Sequence, residues 1–225
     1  MSLASMARDS LHRRRALLAT NIGVLGQKLD FMTALRNTLG PKEADQRFAQ
    51  KCPIVGASVG QHFRHSTDHM ECVANSIDTN MRGGNDHKAS SSKIQLHYDI
   101  RVRGGDDEND MDAAEERIRR VTNLFQKEFD ALVSSSLVNN KMKKIITNNE
   151  TVLACFMLSG DPRENEFLLS STLERELGFV AHHAIHHMAM VKIITMYTLK
   201  FLPPDVLPEG FGMAPSTIAH GKSRR

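Results

Sequence analysis

Four segments of the chain repeat apolar residues at steps of three and four, and this periodicity constrains the fold more than any other feature. They cover approximately residues 11–39, 59–83, 112–132 and 171–201. Such steps place the apolar side chains on one face of an α-helix. Four amphipathic helices of this length predict an all-α fold, an up-down four-helix bundle.

The segment between the third and fourth predicted helices has a different pattern. Two β-branched or apolar runs, KKIIT and TVLACFM, flank Asn148-Asn149 within residues 143–157. Runs of this type around an Asn pair predict a small β-hairpin. The earlier connector, about residues 82–110, is rich in Gly, Asp, Asn and Ser, but its centre, residues 94–103, is not of low complexity. Long irregular segments of this kind are often functional, and we expect the centre to pack.

Helix start and stop signals suggest the domain boundaries. Gly40-Pro41 should end the first helix and lead into a polar connector. Ser171, with Glu174 three residues later, predicts a capping box at the start of the fourth helix. We therefore expect an N-terminal segment over residues 1–14, the bundle over residues 15–202 and a Pro-rich C-terminal extension over residues 203–225.

Composition limits the compartment and the partners. The net charge is only +3 over 225 residues, and no basic stripe with interleaved aromatics appears, so nucleic-acid binding has little support. The three cysteines, Cys52, Cys72 and Cys155, form no CxxC pair, which favours a reducing, cytoplasmic compartment. The Arg-, Ser- and Ala-containing N-terminus leaves a mitochondrial transit segment as the alternative. No run approaches the length of a membrane span.

Seven of the eleven histidines fall in two helical windows. They are His62, His65 and His69 in the second predicted helix, and His182, His183, His186 and His187 in the fourth. Histidines at i and i+4 share a helix face and can bind one ion. Because His187 lies on the apolar stripe of the fourth helix and His183 lies beside it, this pair should face the bundle interior. His182 and His186 should face the rim or solvent.

Two imidazoles from one helix and one from another would give a metal three protein ligands. One coordination position of the metal would then stay open for water or substrate, as in catalytic metal sites. The residues leave the second-helix ligand open, although the stripe through Val59, Ser66 and Val73 slightly favours His62. An all-nitrogen shell suits a divalent metal such as Zn, Ni or Fe. Glu176, two turns before His183, is a general base, a partner of the metal ligands or a substrate contact, or else a surface residue paired with an arginine.

Four motifs together resemble DinB-like proteins: GQHFRH in the second helix, YDIRVRG in the connector, RELGFVAHHAIHHMAM in the fourth helix and FGMAPSTI near the C-terminus. The resemblance spans roughly residues 15–220. It implies a four-helix bundle whose metal is held by one histidine of the second helix and an HxxxH pair of the fourth. The pair corresponds to His183 and His187. The second-helix ligand corresponds to His65, with His62 as the alternative or as a partner of the ligands.

The resemblance also includes a motif in the connector between the second and third predicted helices. Tyr98, Asp99 and Arg101 match its motif, and two roles stay open, contact with the substrate or a structural role in pinning the connector. Some DinB-like proteins are thiol-dependent S-transferases and others are described as metal-dependent hydrolases. The resemblance also implies a homodimer.

These observations lead to two hypotheses. The first is a DinB-like metal-dependent S-transferase or hydrolase that acts on a small molecule such as a thiol. The alternative is a non-catalytic helical bundle that acts through self-association or a protein partner. The alternative predicts an exposed apolar face, which we expect on the first helix. A fold alone does not determine an activity. The two hypotheses therefore differ in whether the histidines bind a metal or have a structural role.

Overall fold

A computed structural model describes residues 3–82, 94–100, 104–134, 151–161 and 165–222. The chain divides into two compact units. The first unit comprises Met1–Ile22, Asp68–Arg101 and Val121–Val180, and the second comprises Gly23–Thr67, Val102–Arg120 and Ala181–Arg225.

The described chain is mostly helical, with four long helices where the periodicity predicts them. They are α1 (Leu3–Leu39), α3 (Val59–Arg82), α4 (Met111–Ser134) and α5 (Leu173–Ile193). Two shorter helices are α2 (Pro41–Ala49) and α6 (Pro215–Lys222). The prediction of long helices is therefore confirmed. Among the described helices, none combines the length and apolar character that crossing a bilayer requires.

Helix α2 corrects the prediction of a polar connector after the first helix. Gly40 has a φ of 79°, which glycine adopts without steric cost, and the chain can therefore turn there. Pro41 begins α2, where a residue without an N–H loses no helical hydrogen bond. Ala44 and Phe48 are buried. The Gly-Pro pair thus ends one helix and begins the next, and α6 similarly adds a helix to the predicted C-terminal extension.

The first unit contains a three-stranded sheet in the order β1-β2-β3. The strands are β1 (Ile94–His97), β2 (Thr151–Phe156) and β3 (Phe167–Thr172). β1 pairs with β2 in parallel, and β3 pairs with β2 antiparallel. The TVLACFM strand was thus correctly predicted, whereas the KKIIT run lies outside the described residues. The antiparallel partner seen for β2 is β3, which the sequence analysis did not assign as a strand.

The predicted capping box at Ser171 and Glu174 is wrong. Ser171 belongs to β3, and α5 begins two residues later. The hydroxyl of Thr172 accepts a hydrogen bond from the backbone N–H of Arg175 at 3.2 Å, so Thr172 caps the helix. The reciprocal box is found instead in the second unit at the start of α3. There the N–H of Gln61 donates to the Ser58 hydroxyl, and the N–H of Ser58 donates to the Gln61 side chain, both at 3.1 Å.

An aromatic cluster forms the core of the second unit. The Phe63 ring lies edge-on to Phe31 and Phe48, with centroids 5.4 and 6.0 Å away. Phe211, from the segment after α5, stacks on Phe31 at 5.2 Å. Gly212 has a φ of +67°, and a Cβ there would lie 2.7 Å from the backbone nitrogen of Ala189 in α5. The C-terminal segment therefore packs directly against the α5 backbone.

Candidate metal centre

The second unit brings together the four histidines proposed as metal ligands. Nδ1 of His62 lies 2.8 Å from Nδ1 of His187. Nε2 of His65 lies 3.1 Å from Nε2 of His183. Helix α3 supplies one member of each pair and α5 supplies the other. Sequence reasoning therefore selected residues that meet in space.

His187 contacts the other three rings of this cluster. Its ring centroid lies 4.6 Å from those of both His65 and His183, and 5.1 Å from that of His62. His62 is buried, and the other three are half-buried. Imidazole rings this close carry converging ring nitrogens, which are the donor atoms that transition metals prefer.

Burial separates the two histidine pairs of α5 as the helical stripe predicts. His183 and His187 are half-buried, whereas His182 and His186 are exposed. Each pair is spaced i, i+4 and therefore shares a helix face. The face carrying His183 and His187 is the one whose rings contact α3.

Two histidines of the cluster, His62 and His187, favour the neutral imidazole. Burial, followed by the charges of His183, His62, His186 and Lys28, lowers the pKa of His187 to about 2. Burial, with a smaller contribution from His186, also lowers the pKa of His62. A neutral imidazole keeps a lone pair for a metal. Within the described residues, Nε2 of His62 is buried without a hydrogen-bond partner, and a buried polar atom usually binds a water molecule or an ion when no protein group reaches it.

Lys28 is a buried charge that sequence reasoning missed. Its side chain is fully buried, and Nζ donates to the hydroxyls of Ser66 at 2.8 Å and Thr67 at 2.9 Å. Lys28 lies three residues after Leu25 and four before Met32, both on the apolar stripe of α1. The position of this lysine on the apolar face of an amphipathic helix is the sequence feature that could have identified it as buried.

In the first unit, two of the proposed substrate contacts bind each other. The Tyr98 hydroxyl donates to Oε2 of Glu176 at 2.7 Å. The Ser171 hydroxyl and the Arg175 guanidinium donate to Oε1 of Glu176 at 2.5 and 2.7 Å. Burial, and then the hydrogen bond to Glu176, raises the pKa of Tyr98. Glu176 is paired with an arginine as expected, but it is fully buried rather than on the surface.

Asp99 of the connector fits the structural role more closely than substrate contact. Asp99 accepts a hydrogen bond from the backbone N–H of Met157 at 2.8 Å, which fixes the chain after β1 to the chain after β2. Arg101 lies outside the described residues. His69, the third histidine of its window, is buried, and its ring stacks on Tyr98 with centroids 4.9 Å apart. This part of the connector is therefore packed, as predicted.

Comparison with known proteins gives limited information. No family model matches the chain, and no solved structure matches it. The chain is similar to a curated protein named FK506-binding protein 5 from Rhizopus delemar, with 31% identity over 129 residues. The match covers 57% of this chain and 28% of that protein, so the chain spans less than a third of the relative's length.

Proposed function

We propose that the protein is a DinB-like metal-dependent S-transferase or hydrolase of a small molecule, with one divalent metal in the histidine cluster. The observation that carries the proposal is the pair of ring contacts between α3 and α5, 2.8 Å for His62–His187 and 3.1 Å for His65–His183. The four long helices and the quoted motifs support the family assignment, including its four-helix bundle.

We assign His65, His183 and His187 as the ligands. Two nitrogens bound to one tetrahedral zinc at about 2.0–2.1 Å would be about 3.3 Å apart, and the Nε2 atoms of His65 and His183 are 3.1 Å apart. Nδ1 of His187 contacts His62, and we assign its other ring nitrogen, Nε2, to the metal. His62 then orients a ligand, a common role for the partner of a metal-binding histidine, and it stays the alternative ligand.

The ligand set defines the chemistry available. A bound divalent metal would supply Lewis acidity to a thiol or a water molecule. The chain itself contributes the imidazoles and the buried Lys28 ammonium, whose charge already lowers the pKa of His187. A positive charge in this unit would favour an anionic small molecule over a neutral one.

Metal analysis tests the ligand assignment. We expect zinc-loaded wild-type protein to hold one equivalent more metal than His187→Ala, measured by inductively coupled plasma mass spectrometry after dialysis. His182→Ala, a variant of an exposed histidine on the same helix, is the matched control and should retain the full amount. Equal metal content in wild type and His187→Ala would contradict the proposal.

A second assay tests the reaction class. The loaded wild-type protein and His187→Ala are incubated with a small thiol and a panel of electrophiles, and separately with ester and amide substrates. Thiol consumption or hydrolysis that depends on both the metal and His187 is expected. Turnover that the two proteins share would rule out the histidine cluster as the reaction centre.

One observation favours the alternative, a protein that acts through self-association. Phe167, Leu168 and Leu169 of β3 are 47–56% exposed, and β3 is an edge strand among those described. Exposed apolar edge strands can pair with a second chain. The apolar face expected on α1 is not seen, since no large apolar side chain of its residues 9–39 is exposed. A homodimer that Leu168→Lys converts to monomer in light scattering, in a protein that takes up no zinc at the histidine cluster, would support this alternative.

A further inference from the structure

A second group of metal-binding side chains lies on the sheet of the first unit. It consists of His97, Cys155 and Glu166, and one ligand atom from each lies within 4.8 Å of the other two. Nδ1 of His97 is 2.5 Å from Oε2 of Glu166. The group shares no residue with the histidine cluster of the second unit.

The strand register explains how distant residues meet. His97, the last residue of β1, is the register partner of Cys155 in β2. Phe167, the first residue of β3, pairs with Phe156, so Glu166 comes directly before the next strand of the sheet. β1 and β2 thus each bring one side chain, and the residue before β3 brings the third, to the same end of the sheet.

The polar atoms of this group have few partners of their own. Within the described residues, Oε1 of Glu166 is buried without a hydrogen-bond partner. The Cys155 side chain is fully buried, and its thiol has a weak 3.6 Å contact with the carbonyl of Leu153. A buried carboxylate oxygen without a donor is costly. A cation between the three side chains would remove that cost.

We propose that His97, Cys155 and Glu166 bind a divalent transition metal of the zinc class, as a second site distinct from the histidine cluster. Sulfur, imidazole nitrogen and carboxylate oxygen are the three donors zinc takes from proteins, and a tetrahedral ion bound by three of them has one position open. The His97 side chain is 40% exposed, so solvent reaches one side of the group.

Two other uses of these residues fit less well. A His97–Glu166 ion pair alone would explain neither the buried Cys155 nor the orphaned Oε1 of Glu166. A nucleophilic cysteine with His97 as base would need an accessible thiolate. Cys155 is instead fully buried, and burial followed by the Glu166 charge raises its pKa. A metal cation would offset both the burial and the Glu166 charge, because a bound cation favours the thiolate form of the cysteine directly.

Cobalt(II) substitution tests the proposal, because a thiolate ligand produces a near-ultraviolet charge-transfer band that an all-histidine site lacks. We expect this band when cobalt is added to the reduced full-length chain. Cys155→Ser should abolish it. Cys52→Ser, which removes a buried cysteine of the second unit, is the matched control and should keep it. A band that survives in Cys155→Ser, or that is absent from the wild type, would overturn the proposal.

Two further variants guard against a folding artefact and separate the two sites. Glu166→Gln keeps the side-chain shape, so we expect a normal helical circular dichroism spectrum with cobalt affinity weakened at least tenfold. An unchanged affinity would remove Glu166 from the ligand set and overturn the three-residue site. His187→Ala should keep the sulfur band, because the histidine cluster contains no cysteine. The experiments can therefore refute the second site without refuting the metal site in the histidine cluster, and they can also refute the histidine site alone.

Discussion

The Tyr98 hydroxyl donates a 2.7 Å hydrogen bond to Oε2 of Glu176, and both side chains are buried. The residues lie in the connector after β1 and in the first turn of α5. The bond therefore joins two distant segments of the first unit. Because Oε1 of Glu176 already accepts from Ser171 and Arg175, Tyr98 is the donor that satisfies the other oxygen.

Tyr98→Phe should destabilise the protein by about 1–3 kcal/mol, the cost of leaving a buried acceptor without its donor. Thermal and urea unfolding measure this change. Tyr197→Phe is the matched control, since Tyr197 is 62% exposed, and it should change stability by less than about 0.5 kcal/mol. Equal stability of the two variants would show that the Tyr98–Glu176 bond does not stabilise the fold.

The buried ion pair of the second unit provides another stability test. Nε of Arg64 lies 2.8 Å from Oε1 of Glu108, and both side chains are more than nine-tenths buried. Arg64→Ala leaves the carboxylate buried without its cation, which should cost about 3–5 kcal/mol. The exposed pair of Arg119 and Glu115 is the control, and Arg119→Ala should cost less than about 1 kcal/mol. Similar losses in the two variants would argue against a strong buried pair.

Acid should destabilise the metal-free protein over a defined pH range. His187 and His62 have lowered pKa values, mainly because of burial. Unfolded, these imidazoles bind a proton near pH 6.5. Below that pH the unfolded state binds more protons than the folded state. The stability is therefore complete above pH 6.5 and should fall as the pH decreases from 6.5 toward 2.

Urea unfolding at pH values from 7.5 to 5 checks this range, and His187→Gln should flatten the dependence. Carboxylates contribute at lower pH. The hydrogen bond from Arg119 lowers the pKa of Glu115 below its ordinary value of 4.5, so its stabilisation is lost only below pH 4.5. A variant as acid-sensitive as the wild type between pH 6.5 and 5 would show that His187 is not responsible.

Metal should stabilise the histidine cluster measurably. In a Cys155→Ser background, which removes the second site, zinc at a hundred times its Kd should add about 2.7 kcal/mol. A rise in Tm that EDTA reverses is the expected result. His182→Ala should show the same rise, and His183→Ala should lose it. A zinc-induced shift that persists in His183→Ala would place the metal elsewhere.

Gly212→Ala should loosen the C-terminal segment from α5. The new Cβ would lie 2.7 Å from the Ala189 nitrogen, and the φ of +67° disfavours any side chain. We expect a lower Tm and faster proteolysis after residue 203. Gly26→Ala is the control, because nothing lies within 4 Å of its Cβ position and alanine favours a helix. Wild-type stability in Gly212→Ala would show that the contact can relax.

The helices and the histidine cluster were predictable because both follow from local periodicity. An i, i+4 pair such as His183 and His187 shares a face in any helix, and the surrounding apolar stripe identifies that face as buried. Which ring contacts which, for example His62 with His187 rather than with His183, depends on how two helices meet. No local pattern contains that information.

The sheet was harder to predict, for two physical reasons. β3 has no alternation of buried and exposed side chains, so it lacks the period of two that marks a half-buried strand. The three residues proposed as a second site, His97, Cys155 and Glu166, are dispersed along the chain, and the sheet brings them together. Such a set looks like three unrelated residues in sequence, unlike a compact histidine window.

The parallel ladder between β1 and β2 has a consequence for how the chain acquires its structure. Ile94 pairs with Val152, and the whole of α4 lies between them in sequence. Helices form from near neighbours, whereas this ladder must close a long loop first. The sheet should therefore assemble late, and until then the apolar β3 segment is open to other chains. Refolding yield should fall with protein concentration even where the finished fold is stable.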